Sequence, residues 1–129
     1  MARLTSRTDH RKLAIWGADC AERVLPHFEE RSPEDKRPRE AIEATCAWAQ
    51  TGVFKMADVR TTALAAHAAA REVEEGDAAR SAARVTGQAM ATAHVARHAI
   101  AAAIYAATAV RDATNSSNAA AATIKERNW

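Results

Sequence analysis

The segment at residues 82–110 decides the fold class, and it reads AARVTGQAMATAHVARHAIAAAIYAATAV. Alanine dominates this segment, and alanine has the highest helix propensity of all residues. No proline interrupts the segment, and its apolar residues do not alternate with polar ones as they would in a half-buried strand. Its one glycine, Gly87, is tolerated inside a helix at a cost of about 1 kcal/mol. The segment therefore predicts helical structure.

The rest of the chain extends this prediction. Its 129 residues suit one domain, and 48% of them are hydrophobic while only four are glycine and three proline. We expect a flexible N-terminal arm at residues 1–8 and a single helical domain at residues 9–129. The predicted fold class is all-α, a compact bundle of five to six helices.

Capping and breaking residues place the first two helices. Thr8 or Asp9 can cap the first helix, and Pro26 is expected to end or kink it. Pro38 suits the first turn of the second helix, where its missing N–H costs nothing. Gly52 is expected to cap the end of that helix.

The later helices are placed by the same reasoning. A third helix is predicted at residues 55–75, and Asp77 can cap the fourth. An uninterrupted helix from there would be too long for a small domain, so we expect a break near residues 97–100. Residues 115–118 are predicted to form a polar turn, followed by a short last helix at residues 119–129.

Apolar residues at helical spacing predict the core. We expect the following side chains to be mostly buried: Trp16, Cys20, Val24, Ile42, Cys46 and Met90. The two cysteines are expected to be reduced thiols.

Charge and hydropathy limit the classes of partner. The 18 basic and 16 acidic residues leave a net charge of +2, which is too small and too dispersed to predict a nucleic-acid partner. The longest uncharged run is too short and too rich in alanine to span a membrane, and no signal peptide pattern is present. These observations predict a cytoplasmic protein with no membrane partner.

Histidines are the main candidates for chemistry. His94 and His98 are four residues apart, so on a continuous helix they would share one face and could bind a metal ion. A third ligand could come from His67, Asp19 or Glu22. The alternative is that these histidines are structural, and the sequence predicts no cofactor.

A wider set of polar residues lies in otherwise alanine-rich helices. Either it forms a buried network that fixes the helix register, or it opens to a cleft and binds a ligand. The set comprises Asp19, Glu22, Arg23, His67, Arg71, Gln88, His94 and His98. In particular, Asp19, His67, Arg71 and His94 are expected to lie close together.

Motifs of common enzyme classes are absent. The sequence contains no GxxxxGK[ST] phosphate-binding loop, no GxSxG, no CxxC and no HExxH. We therefore expect a protein without enzymatic activity.

Several stretches together carry a resemblance to a known family. They are AIWGADCAERVLPHFEE at 14–30, PEDKRPREAIEATCAWA at 33–49, ALAAHAAAREVE at 63–74 and AARVTGQAMATAHVARHA at 82–99. Over about residues 12–129, including the closing KERNW, the chain resembles a bacterial family of putative immunity proteins, small helical domains of polymorphic toxin systems.

The resemblance implies a protein that binds and neutralises a cognate toxin, as a monomer or a homodimer. The exposed, charged segment predicted at residues 29–40 is consistent with a binding role. With a net charge of +2, the chain is not expected to bind a strongly basic toxin by charge alone. The alternative interpretation is a helical metal-binding protein or an enzyme that uses the histidine cluster His67, His94 and His98.

Overall fold

The computed structural model describes the backbone of residues 7–127 and the side chains of residues 8–115, and this part of the chain contains five α-helices and no strand. The helices are α1 (Arg7–Arg31), α2 (Arg37–Thr51), α3 (Met56–Arg71), α4 (Ala78–Ala91) and α5 (His98–Arg127). The all-α prediction is confirmed. Of the predicted arm, residues 1–6 lie outside the described residues, and α1 begins at Arg7.

The helix α4 lies at the centre of the molecule and contacts each of the other four helices. α1 contacts both α5 and α2, and α2 contacts α3, so the outer helices surround α4 in the order α5, α1, α2, α3. Within the described part of the chain, α3 and α5 do not contact each other. The ring around α4 is therefore open between α3 and α5.

Small residues on α4 allow this central position. Most of its side chains are buried, among them Ala82, Ala83 and Ala89, and only a helix with small side chains can be approached closely from several directions. The core is filled by larger residues from the neighbouring helices, of which Phe28 and Leu25 of α1 are fully buried.

The buried face of α1 differs from the prediction. Val24, Ile42 and Met90 are buried as predicted, but Trp16 is 46% exposed and both cysteines are only half-buried. The centre of the buried face consists of Ala14, Ala18, Ala21, Leu25 and Phe28. Trp16 lies at the edge of this face, because the small alanines and not the tryptophan face the tightly packed α4.

Both cysteines are free thiols, as predicted. Burial is the largest influence on each, and it raises the pKa of the Cys20 and Cys46 thiols above the ordinary value. The thiols are therefore protonated and poorly reactive at neutral pH.

Three of the predicted caps are present. Pro38 lies in the first turn of α2, and Gly52 ends that helix with a positive φ of 71° while its N–H donates to the Trp48 carbonyl. The Asp77 carboxylate accepts a hydrogen bond from the Ala79 N–H at 2.8 Å and so caps α4.

The prediction that Pro26 ends or kinks the first helix was wrong about the end, because α1 continues to Arg31. Pro26 is exposed, so the carbonyl that loses its helical partner can turn to water, while Leu25 and Phe28 on either side are buried. The burial of these two side chains stabilises the helix across the proline.

Two helix boundaries near the C-terminus also differ. The break between α4 and α5 is at residues 92–97, slightly earlier than predicted. The predicted turn at residues 115–118 was wrong, because α5 passes through it and no separate helix begins at residue 119. Asparagine and serine are only mildly unfavourable in a helix, and the alanines that follow compensate for them. Trp129 lies outside the described residues.

Candidate functional site

A groove of about 230 Å³ lies along the opening between α3 and α5. It is bordered by α3, by the end of α4 and by the start of α5. Its lining residues include Met56, Arg60, Leu64, His67, Gln88, His94 and His98. Four of these, the three histidines and Gln88, were predicted as site residues.

His67 of α3 is more deeply buried than the other two histidines of the groove. Its ring packs directly over Gly87 of α4, where a Cβ atom would lie only 2.7 Å from the ring atoms Cε1 and Nε2. Its Nδ1 atom is buried and has no hydrogen-bond partner among the described residues. Burial lowers the pKa of His67 to about 4, with smaller contributions from Arg84, Arg71 and His98, so the ring is neutral at physiological pH.

His98 and His94 are held in different ways. His98 Nδ1 donates a hydrogen bond of 2.7 Å to Gln88 Oε1, and burial lowers the pKa of His98 below the ordinary value. His94 is exposed, and its ring stacks on Phe54 with the ring centroids 6.2 Å apart.

The helical spacing behind the metal prediction is not present. His94 lies in the turn between α4 and α5, and His98 begins α5, so the two are not on one continuous helix. Within the part of the chain that the structure describes, no group of three or more potential ligands could hold a metal ion.

The other predicted site residues lie away from the groove. Asp19, Glu22 and Arg23 are exposed on α1, which does not contact α3. Glu22 accepts two hydrogen bonds from Arg39 of α2, at 2.6 and 2.7 Å. These three side chains point outward because the buried face of α1 is the alanine-rich one.

The predicted cluster of four polar residues is thus formed only in part. The groove brings His67 and His94 together, and Arg71 is close enough to His67 to lower its pKa. Asp19 does not line the groove.

Four arginines lie in or near the groove, and none of them forms an ion pair with a described residue. Arg60 lines the groove, Arg84 and Arg71 act electrostatically on His67, and Arg97 acts on His98. Elsewhere Arg31, Arg37, Arg39 and Arg111 form ion pairs, whereas Arg23 of α1 forms none with a described residue. No carboxylate lines the groove. The groove is therefore a local concentration of positive charge in a chain that is nearly neutral overall.

Sequence analysis did not single out Arg60, Arg84 or Arg97. One signal was available, because none of the three has an acidic residue three or four positions away, the spacing at which a helical ion pair forms. A net charge taken over the whole chain conceals such a local imbalance.

Exposed apolar residues adjoin the groove. Val53 and Phe54 belong to the α2–α3 loop, and Met56 and Leu64 to α3, and all four have exposed side chains. We call the groove together with Val53, Phe54, Met56 and Leu64 the groove face. Two further recesses, of about 300 and 260 Å³, lie on either side of the loop and share Trp48. Exposed apolar residues around a concave surface are typical of an interaction site.

A family model described as "Imm-5 like putative immunity protein" matches residues 3–129. The chain belongs to this family. The match confirms the resemblance seen in the sequence, and the immunity role that the family name carries implies a protein partner. No curated protein and no solved structure matched the chain.

The groove face combines a recess, exposed apolar side chains and arginines without an ion pair, and other surfaces of this family member combine fewer of these features. Within the described residues, no helix has the length and apolar character of a membrane span. The outer face of α5 exposes Ile100 and Ile104, and neither residue lines any of the recesses described here. A wide cleft at the opposite end of α4 is polar, and in it Arg31 is already paired with Asp77.

Lowering the pH should destabilise the fold through His67. Because its folded pKa of about 4 is below the ordinary 6.5, the unfolded chain takes up the proton first as the pH falls. The stabilisation by the neutral ring is therefore complete above about pH 6.5 and is lost as the pH falls towards 4. We expect a loss of about 1–2 kcal/mol, since the ring is partly exposed to screening solvent.

Urea denaturation at about pH 7 and about pH 4.5 measures this effect. The variant His67→Asn is the control, because it cannot titrate and still contains His94 and His98. If the variant loses as much stability as the native chain between the two pH values, the titration of His67 does not cause the loss of stability at low pH.

Because His67 packs on Gly87, the effect of Gly87→Ala on the free energy of unfolding should change sign when His67 is replaced by alanine. Gly87→Ala should lower the free energy of unfolding by about 1–2 kcal/mol, because overpacking outweighs the gain of about 1 kcal/mol in helix propensity. In a His67→Ala background, the same substitution should be stabilising by up to about 1 kcal/mol. Gly17→Ala is the control, because a Cβ there meets Ala89 at an ordinary 3.6 Å. Equal effects of Gly87→Ala in both backgrounds would show that the ring does not occupy this position.

Proposed function

We propose that this chain binds and neutralises a cognate bacterial toxin through the groove face, without carrying out a reaction of its own. The family supports the immunity role in general. The groove face is the proposed binding surface because a concave groove, exposed apolar side chains and unpaired arginines coincide there.

The size of the groove favours a protein partner over a small ligand. Pockets for drug-sized ligands usually have volumes of about 300–1,000 Å³, whereas this groove has about 230 Å³. That volume suits one or two side chains of a larger molecule. Around it, Val53 and Leu64 are 64% and 56% exposed, and they provide apolar surface that a protein partner would bury. This arrangement resembles a protein interface with an anchor side chain at its centre.

The groove chemistry supports a role without catalysis. A histidine that acts as a general base needs a partner that orients it and a nucleophile or substrate within hydrogen-bond reach. The Nδ1 atom of His67 has no hydrogen-bond partner among the described residues, and His98 Nδ1 is already bound to Gln88. Among the described residues, the lining contains no carboxylate, cysteine or serine. The alternative of a metal-binding protein or an enzyme would need a third ligand or a nucleophile in this position.

The cytoplasm of the producing cell is the compartment we propose for the encounter, because an immunity protein protects the cell in which its toxin is made. The stoichiometry of the complex will show whether the chain acts as a monomer or a homodimer.

Growth rescue tests the proposal. The chain is expressed in a bacterial host together with the protein encoded by each gene adjacent to its own, and the toxic one is identified by growth arrest. We expect co-expression to restore growth, and the purified proteins to form a complex by size-exclusion chromatography with light scattering. An unrelated helical protein of similar size is the control. A toxin from this neighbourhood that stays fully active with the chain present, and does not bind it, would contradict the proposal.

A further inference from the structure

The positive charge of the groove face comes from arginines that form no ion pair with a described residue. Arg60 and Arg97 are exposed, while Arg84 is partly buried and Arg71 lies at the end of α3. None of the four forms an ion pair in the structure. A guanidinium group remains protonated at all physiological pH values, so this positive charge is permanent.

His67 and His98 are neutral, so they leave the positive charge of the arginines unchanged. Their rings line the groove together with Arg60, while Arg71 and Arg84 act electrostatically on His67 and Arg97 on His98. The apolar side chains of Met56 and Leu64 form the border of the groove on the α3 side. A complementary ligand must therefore present negative charge and apolar surface together.

The start of α5 offers an anion no free backbone N–H group at its first three residues. Phosphates are often bound by the free N–H groups of a helix N-terminus. Here the N–H groups of His98, Ala99 and Ile100 already donate to the carbonyls of Val95, Ala96 and Arg97. The anion would therefore be held by arginine side chains, whose planar donor pairs match the two oxygens of a carboxylate.

We infer that the groove binds an acidic segment of the partner protein, in which a glutamate or aspartate is bound by Arg60 and an adjacent aliphatic or aromatic residue packs on Leu64 and Met56. The exposed Arg97, next to His98 in the chain, adds positive charge that attracts this segment. This inference rests on the proposed function, because the toxin is the partner that supplies the segment. It also assigns the toxin a recognition surface of opposite charge to the groove.

Charge reversal tests the inference on the toxin. Arg60→Glu and Arg97→Glu should each weaken toxin binding about tenfold, mainly through a slower association rate, because opposite charges steer the encounter. Arg23→Glu is the matched control, since Arg23 is an exposed, unpaired arginine on α1, away from the groove, and it should change binding less than about twofold. Surface plasmon resonance at low and moderate salt gives both rates.

A pair of dyes tests the groove without the toxin. The anionic dye 8-anilinonaphthalene-1-sulfonate combines a negative group with apolar rings, and N-phenyl-1-naphthylamine is a similar molecule without the charge. We expect the folded chain to bind the sulfonate several times more tightly than the neutral dye. This preference should be lost in Arg60→Glu and Arg97→Glu and kept in Arg23→Glu, with circular dichroism confirming that each variant is folded.

The outcomes separate this inference from the proposed function. If the native chain neutralises the toxin and the groove variants do so equally well, the inference is wrong and the proposed function stands. If the native chain does not neutralise the toxin, the proposed function fails, and the dye pair decides whether the groove binds an amphipathic anion. Equal affinity for both dyes overturns the inference. Saturable binding of ATP that Arg60→Glu abolishes would identify a small-anion site and would also overturn it.

Discussion

Replacing Phe28 by alanine should lower the free energy of unfolding by about 3–5 kcal/mol, the usual cost of removing a buried aromatic side chain. Phe28 has no exposed surface and belongs to the core cluster that joins α1 to α4 and α5. Its neighbours are largely alanines, which cannot move in to fill the space. The substitution therefore leaves a cavity in the tightest part of the bundle.

Trp16→Ala is the matched comparison for Phe28→Ala, because both residues are aromatic and both belong to α1. Trp16 is 46% exposed, so its removal should cost only about 1–2 kcal/mol. Urea denaturation followed by far-ultraviolet circular dichroism measures both losses. If Trp16→Ala lowers the free energy of unfolding more than Phe28→Ala does, α1 buries the face that contains Trp16 and not the face that contains Phe28.

Replacing Leu64 by glutamate should weaken toxin binding by at least about 30-fold, which corresponds to the 2 kcal/mol or more of an interface hot spot. Leu64 is exposed at the border of the groove, so we propose that the toxin covers it. Glutamate at this position removes apolar contact and places a negative charge where an acidic segment of the toxin would bind. The fold itself should be little affected, because the side chain is exposed.

Ile104→Glu is the control for Leu64→Glu. Ile104 is 61% exposed and Leu64 56%, and both lie in helices, but Ile104 belongs to α5, which does not contact α3. Isothermal titration calorimetry with the purified toxin should show nearly native affinity for this variant, and thermal melting should confirm that both variants are folded. If Ile104→Glu weakens binding more than Leu64→Glu does, the outer face of α5 and not the groove face is the interface.

The local structure could be predicted where one residue or one short pattern is decisive. Asp77 caps α4 because its side chain reaches an N–H group two residues away, and Gly52 ends α2 because it adopts a positive φ without strain. The apolar spacing of residues 59, 63, 66 and 70 also indicates the inward side of α3, and Val59, Ala63, Ala66 and Ala70 are all buried. These features depend on neighbours in the sequence.

Prediction failed where distant parts of the chain decide the outcome. Trp16 was expected in the core because it is large and apolar, but α4 requires small residues where α1 approaches it. The break between α4 and α5 is present close to its predicted position, but the turn expected at residue 115 from its polarity is helical. For Trp16 and for residue 115 alike, the local sequence indicates a preference that packing can override.

By itself, the sequence determined the helical class, several helix ends and the family, because helix propensity, capping and the motifs are local properties. Only the tertiary structure decided where the site lies. Arg60 of α3, Gln88 of α4 and His98 of α5 come from three different parts of the chain, and they line one groove because α3 and α5 flank α4 without touching each other. Which helix packs beside which depends on the fit of whole surfaces. For that reason, the open side of α4 and the charge collected there could not be derived from the order of the residues.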